Sequence, residues 1–160
     1  MSETDDTEDH VTLAVTIPGT PEAAYRLFVD GFGTWWPTEY TFCGENLAAI
    51  AIEGVDGGRC FERAINGREL VWGTVTLAEP GQALIFRWHI TADRQIEADP
   101  DRASEVAVAF QAAGDSDTTV MLVHSGLSRH GGDWAGYRAA MASEQGWPYC
   151  LDHFRAAAGS

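Results

Sequence analysis

Between residues 47 and 125 the chain is cut at short intervals by turn residues, and this spacing constrains its fold more than any other feature. Gly57-Gly58, Asn66-Gly67, Pro80-Gly81 and Gly114-Asp115-Ser116-Asp117 separate runs rich in aliphatic, aromatic and β-branched residues. Tight connections of this kind join antiparallel strands, and Asn-Gly is the strongest short hairpin signal. The predicted strands cover residues 47–52, 59–64, 68–77, 83–90, 105–111 and 118–125. An earlier strand over residues 10–17 shows the alternation Val11, Leu13, Val15, Ile17, which buries one face.

Two helical regions flank this series. Thr20-Pro21-Glu22 opens a helix, with Thr as N-cap and Pro at the first helical position. Ala24, Leu27 and Phe28 form its apolar face, and Gly31 and Gly33 are expected to stop it before Trp35-Trp36-Pro37. The second region runs from residue 134 to 158. Trp134, Tyr137, Met141, Pro148, Leu151, Phe154 and Ala158 fall on one helical stripe. Gly146 and Pro148 interrupt it, so a kink or break is expected there, with Pro148 in the first turn of a second piece. Residues 92–102 read as a loop, and 128–133 as a connector.

The resulting order is strand, helix, a run of antiparallel strands and a long terminal helix. This is an α+β arrangement of one domain over residues 10–158. Residues 1–9, with five acidic side chains and no large apolar residue beyond Met1, are expected to form a disordered tail.

Composition removes several functional classes. The 160 residues carry a formal charge of −14, which disfavours nucleic acid and anionic membrane surfaces as partners. All ten basic residues are Arg, so Lys Schiff-base chemistry is excluded. No apolar run reaches the ~20 residues of a membrane span, and the N-terminal stretch lacks a signal pattern, so a cytoplasmic location is expected. Cys43, Cys60 and Cys150 are sparse and odd in number, as in a reducing compartment. The five His are scattered; only His130 and Asp133 lie close together, so no metal or other cofactor is expected.

Alternation assigns inward faces. Leu84, Phe86 and Trp88 share one, Val106, Val108 and Phe110 another, and Val120, Leu122 and His124 a third. An inward His124 is the best catalytic candidate, as an acid, a base or a single polar contact to a ligand. It more simply fits a buried His bonded to a backbone carbonyl or to Ser125, and no carboxylate stands at triad spacing. Glu62 and Arg63 can supply one charged group to an interior, or simply lie on a solvated edge. The six Trp are candidates for core, cavity wall or both.

Several segments together resemble a known family. Ile17-Pro18 through Trp35-Trp36-Pro37, Gly57-Gly58-Arg59, Trp72-Gly73-Thr74-Val75, Glu79-Pro80 and Leu84-Ile85-Phe86-Arg87-Trp88 are similar to the START-like, Bet v 1-type superfamily. So are residues 119–127 and the closing Gly146-Trp147…Leu151…Phe154. The nearer resemblance is to its branch of activator-of-heat-shock-protein-90-ATPase homologues, and it covers residues 11–158.

The resemblance implies a helix-grip fold: a curved antiparallel sheet of six or seven strands around a long C-terminal helix, with short helices after the first strand. It also implies a cavity between sheet and helix. The expected function is binding of a small apolar or amphipathic molecule by a monomer or homodimer, with Trp35, Trp36, Trp72, Trp88, His124, Trp147, Leu151 and Phe154 around it. Two alternatives are a polyketide cyclase- or dehydratase-like enzyme, needing His124 with Glu62 or Tyr149, and a chaperone-linked interaction module.

Overall fold

The structure, a computed structural model, describes residues 9–159. The expected acidic tail lies outside the described residues except for Asp9, whose carboxylate accepts from the Ser128 N–H at 3.0 Å and hydroxyl at 2.7 Å.

Seven strands form one antiparallel sheet, curled into a half-barrel: β1 (Val11–Pro18), β2 (Leu47–Ile52), β3 (Arg59–Ala64), β4 (Glu69–Glu79), β5 (Ala83–Trp88), β6 (Ser104–Ala113) and β7 (Asp117–Ser125). Their order is β1-β7-β6-β5-β4-β3-β2. From β2 to β7 each strand pairs with the next, as the short turns require. The first strand instead pairs with the last, Val11 opposite His124. β1 and β2 therefore occupy opposite edges, and the chain joining them must cross the concave face.

That crossing is α1 (Pro21–Val29) followed by α2 (Phe32–Trp35). Thr20 caps α1 by accepting from the Ala23 N–H at 3.1 Å, with Pro21 in the first turn. The expected stop at Gly31 and Gly33 is only partly observed. Helix α1 ends at Val29, but helical backbone resumes with Gly33 inside α2. A Cβ on Gly33 would lie 2.9 Å from the Ile50 carbonyl oxygen, so this glycine lets α2 press against β2.

The terminal region is broken, as the sequence predicts, into α3 (Trp134–Ala142) and α4 (Trp147–Ala158), with Pro148 in the first turn of α4. A Cβ on Gly146 would meet the Met141 and Ala140 carbonyl oxygens at 2.2 and 2.5 Å, so only glycine allows the chain to fold back so closely. The expected outcome for Gly146→Ala is a loss of about 1–3 kcal/mol, measured by urea unfolding. Helix α4 buries Trp147, Cys150, Leu151 and Phe154, an i, i+3, i+4, i+7 stripe. The stripe drawn from the sequence needs one correction: Pro148 is only half-buried, and Cys150 faces inward. The break restarts the helix, and with it the phase of its apolar face.

The three inward faces predicted by alternation, including His124, are all buried. Phe28 of α1 is packed between Trp35, 4.9 Å away between ring centroids, and Phe154 of α4 at 5.4 Å. These rings tie both helical regions to the sheet. The segment 92–102 is irregular as expected, except for an Ile90–Ile96 bridge and a short 3₁₀ turn at Pro100–Arg102.

Candidate functional site

Where the terminal helix breaks, the grip is open. A pocket of about 300 Å³ lies between the sheet, the segment after α2, and the α3–α4 break. Its aromatic wall comes from four elements: Trp36 after α2, Trp72 of β4, Trp88 of β5 and Trp147 of α4. Trp36 and Trp72 are nearly parallel, 12° apart with centroids separated by 6.5 Å. Trp88 and Trp147 meet Trp36 at steep angles, 62° and 65°.

The adjacent Trp35 and Trp36 diverge for a local reason. Trp35 ends α2 helically, whereas Trp36 is extended (φ −67°, ψ 130°) before Pro37, which disfavours helix at the preceding residue. Trp35 therefore turns into the core, where its indole N–H donates to the Leu27 carbonyl at 3.1 Å. Trp36 faces the pocket.

Hydrogen bonds hold the rim. The Tyr40 hydroxyl donates to the Gln145 carbonyl at 2.7 Å, and Arg94 donates to the Tyr40 carbonyl at 3.0 Å. The Tyr137 hydroxyl accepts from the Trp88 indole at 2.8 Å and donates to the Ile90 carbonyl at 2.7 Å. Burial pushes the Tyr137 phenol up to about 12, so it is neutral at physiological pH.

On β3 the strand's two faces differ in character. Phe61 faces out beneath the Arg59 and Arg63 guanidinium groups, 4.5 and 5.5 Å from its ring centre. Those two Arg pair with Glu53 and Glu69 on that surface. Glu62 faces in, only 2% exposed, and lines the pocket. Its carboxylate accepts from the Phe42 N–H at 3.0 and 2.9 Å and from the Cys43 N–H at 3.0 Å. Main-chain N–H groups thus replace the lost hydration of the buried carboxyl oxygens. Burial, and then Glu62, push the Cys43 thiol up.

His124 stands behind this pocket. Trp147 donates its indole N–H to His124 Nδ1 at 2.9 Å. A neutral ring accepting at Nδ1 carries its proton on Nε2, which faces Ser104 Oγ at 2.7 Å. The Ser104 hydroxyl then donates to His130 Nε2 at 2.8 Å. The hydrogen-bond chain runs from Trp147 through His124 and Ser104 to the acceptor His130. Burial, and then His130, lower His124 to about 3, so the neutral form persists across the physiological range.

The sequence candidates therefore divide into two groups. Trp36, Trp72, Trp88 and Trp147 line the pocket, the last three as part of the buried core, whereas Trp35, Leu151 and Phe154 belong to the core alone. His124 touches the far sides of Trp88 and Trp147, with ring centres 5.3 and 5.9 Å apart. Its partners are neither a backbone carbonyl nor Ser125, the two expected from sequence. Tyr149 lies outside the pocket lining and hydrogen-bonds Glu39. Arg63 belongs to the outer surface.

Glu62 was recoverable from its two-residue spacing to Cys60. Tyr40, Arg94 and Tyr137 have no such signal. Among the described residues no three His, Cys, Asp or Glu converge as a metal site. His130 bonds Ser104, and Asp133 instead caps α3 by accepting from the Gly136 N–H at 3.1 Å. No helix among them is long and apolar enough to cross a membrane.

A seven-stranded antiparallel sheet gripping a terminal helix defines the START-like, helix-grip class. Within it the chain belongs to the family described as Activator of Hsp90 ATPase homolog 1-like protein, whose model matches residues 19–159. Among solved structures, the chain is 31% identical to Txn09, an anthrahydroquino-γ-pyrone synthase complexed with SUM. The match covers 92% of this chain and 97% of that one, with a TM-score of 0.64. It is 28% identical to the self-sacrificing resistance protein CalC from Micromonospora echinospora, over 94% of each chain, also with a TM-score of 0.64. A search of curated proteins finds no match.

Proposed function

We propose that the chain binds a small, planar aromatic molecule of polyketide type in the pocket between the sheet and the α3–α4 break. The carrying observation is the wall itself. Four indoles from separate elements surround about 300 Å³, near the lower end of small-molecule sites. Indole faces at such angles favour stacking and edge contacts with a flat ring system. The 31% identity to a synthase named for a fused aromatic product supports the same ligand class.

The test is titration with 1,8-dihydroxyanthraquinone, read by quenching of tryptophan fluorescence. Saturable one-to-one quenching is expected. Ala140 is exposed on α3 and lines the mouth. Ala140→Trp is expected to weaken binding about ten-fold or more by filling the entrance. Linear, unsaturable quenching, or equal quenching of the filled variant, would overturn the proposal.

A second reading, catalysis on the same ligand, is favoured by the identity to a synthase over nearly its full length. Glu62 is its candidate base, as a buried carboxylate within the pocket. Turnover of an aromatic polyketide substrate by the native chain, lost in Glu62→Gln, is the expected result; unchanged turnover in that variant would remove Glu62 from the role.

A further inference from the structure

The pocket has one polar corner that its aromatic walls do not explain. Glu62 pairs across the β3–β4 ladder with Leu70, two residues from Trp72. The register shifts at this point: Phe61 pairs with Val71 and Cys60 with Gly73, so Trp72 is the extra residue of a bulge. Bulges re-aim side chains, and Trp72 and Gly73 are both buried here although adjacent. Glu62 and Trp72 are thereby diagonal neighbours on the concave face, and both line the pocket.

Each brings hydrogen-bonding capacity that the protein leaves over. The Trp72 side chain is 1% exposed, and its indole N–H has no acceptor among the described residues. An unmet buried donor of this kind is uncommon in folded proteins and carries a free-energy cost. On Glu62, Oε1 accepts from two N–H groups, while the one N–H on Oε2 is that of Phe42, which it shares with Oε1, and the Cys43 thiol also bonds this carboxylate. With about four lone-pair sites for these donors, the carboxylate retains acceptor capacity.

The geometry points to a hydroxyl-recognition site: Glu62 accepts the proton of a single ring hydroxyl of the ligand while Trp72 donates to the same oxygen. A hydroxyl is donor and acceptor at once, so a single oxygen satisfies both neighbours. An ammonium group would leave the Trp72 N–H unmet, and an ether or carbonyl would leave Glu62 without a donor. This site rests on the reading of the pocket as an aromatic-ligand site, and names the substituent that selects the ligand: a phenol.

Three probes separate the possibilities by ligand-induced shifts of the indole N–H signals in the native chain: 2-naphthol, 2-methoxynaphthalene and 2-naphthylmethylammonium. The expected result is 2-naphthol binding about ten-fold or more tightly than either of the others. Glu62→Gln and Trp72→Phe, each checked for a native spectrum, are expected to erase that advantage. Equal affinity of naphthol and methoxynaphthalene, both shifting the pocket indoles, would overturn the hydroxyl site and leave the aromatic reading standing. Tighter binding of the ammonium probe would overturn it in favour of a cation site. No shift with any probe would overturn both. The wild-type comparison decides the matter even where a variant fails to fold.

Discussion

His124→Ala is expected to destabilise the fold by about 3–5 kcal/mol, read from urea unfolding at pH 7. Two costs combine. The side chain is fully buried, so its removal leaves a void behind Trp88 and Trp147. It also orphans the Trp147 indole N–H and frees Ser104 from one of its two partners. A buried donor without a partner loses its hydration with no return. His124→Asn is expected to cost less, since an amide on the same strand position offers the indole an acceptor near the place of Nδ1. If alanine costs no more than asparagine, the donor chain contributes nothing.

The second large effect is on pH dependence. In the folded chain His124 sits at about 3 against an ordinary value of 6.5. The unfolded chain therefore takes up a proton below about 6.5 that the native state refuses until about 3. Stability falls as pH falls through that window, by about 2 kcal/mol at pH 5 from this group alone. His130 is lowered in the same direction, chiefly by burial. The carboxylates held low by surface partners, Glu39, Glu53 and Glu69, titrate further into the acid. Between pH 7 and 5 the histidine contribution is expected to dominate the pH dependence. Urea midpoints of wild type and His124→Asn are expected to converge as pH falls. Parallel profiles would contradict the assignment of that slope to His124.

The same residue shows what sequence carries and what it does not. Alternation with Val120 and Leu122 puts His124 inside, because a strand's period of two is a local property. Its function depends on Ser104, His130 and Trp147, which come from β6, the connector after β7 and α4. No spacing within one element encodes that meeting. The terminal region behaves similarly: Gly146 and Pro148 foretell the break, yet the rim it forms with Tyr40 and Arg94 arises only from tertiary packing.

Glu62 is the instructive middle case. The sequence leaves it either as a charged group supplied to an interior or as part of a solvated edge, where a charge ordinarily lies. The charge argument fails because the Phe42 and Cys43 N–H groups are brought over it by the turn after α2. The two adjacent indoles divide for a backbone reason, Pro37, that was present in the sequence and decides which of them is core and which is wall. Neither outcome follows from hydrophobicity alone.

The most direct test is a map of the six indole N–H resonances, assigned by single Trp→Phe variants, during titration with 1,8-dihydroxyanthraquinone. The pocket account predicts progressive shifts of Trp36, Trp72, Trp88 and Trp147, with Trp35 and Trp134 stationary. Shifts confined to Trp134, or no shift of the four wall residues at saturating ligand, would contradict it.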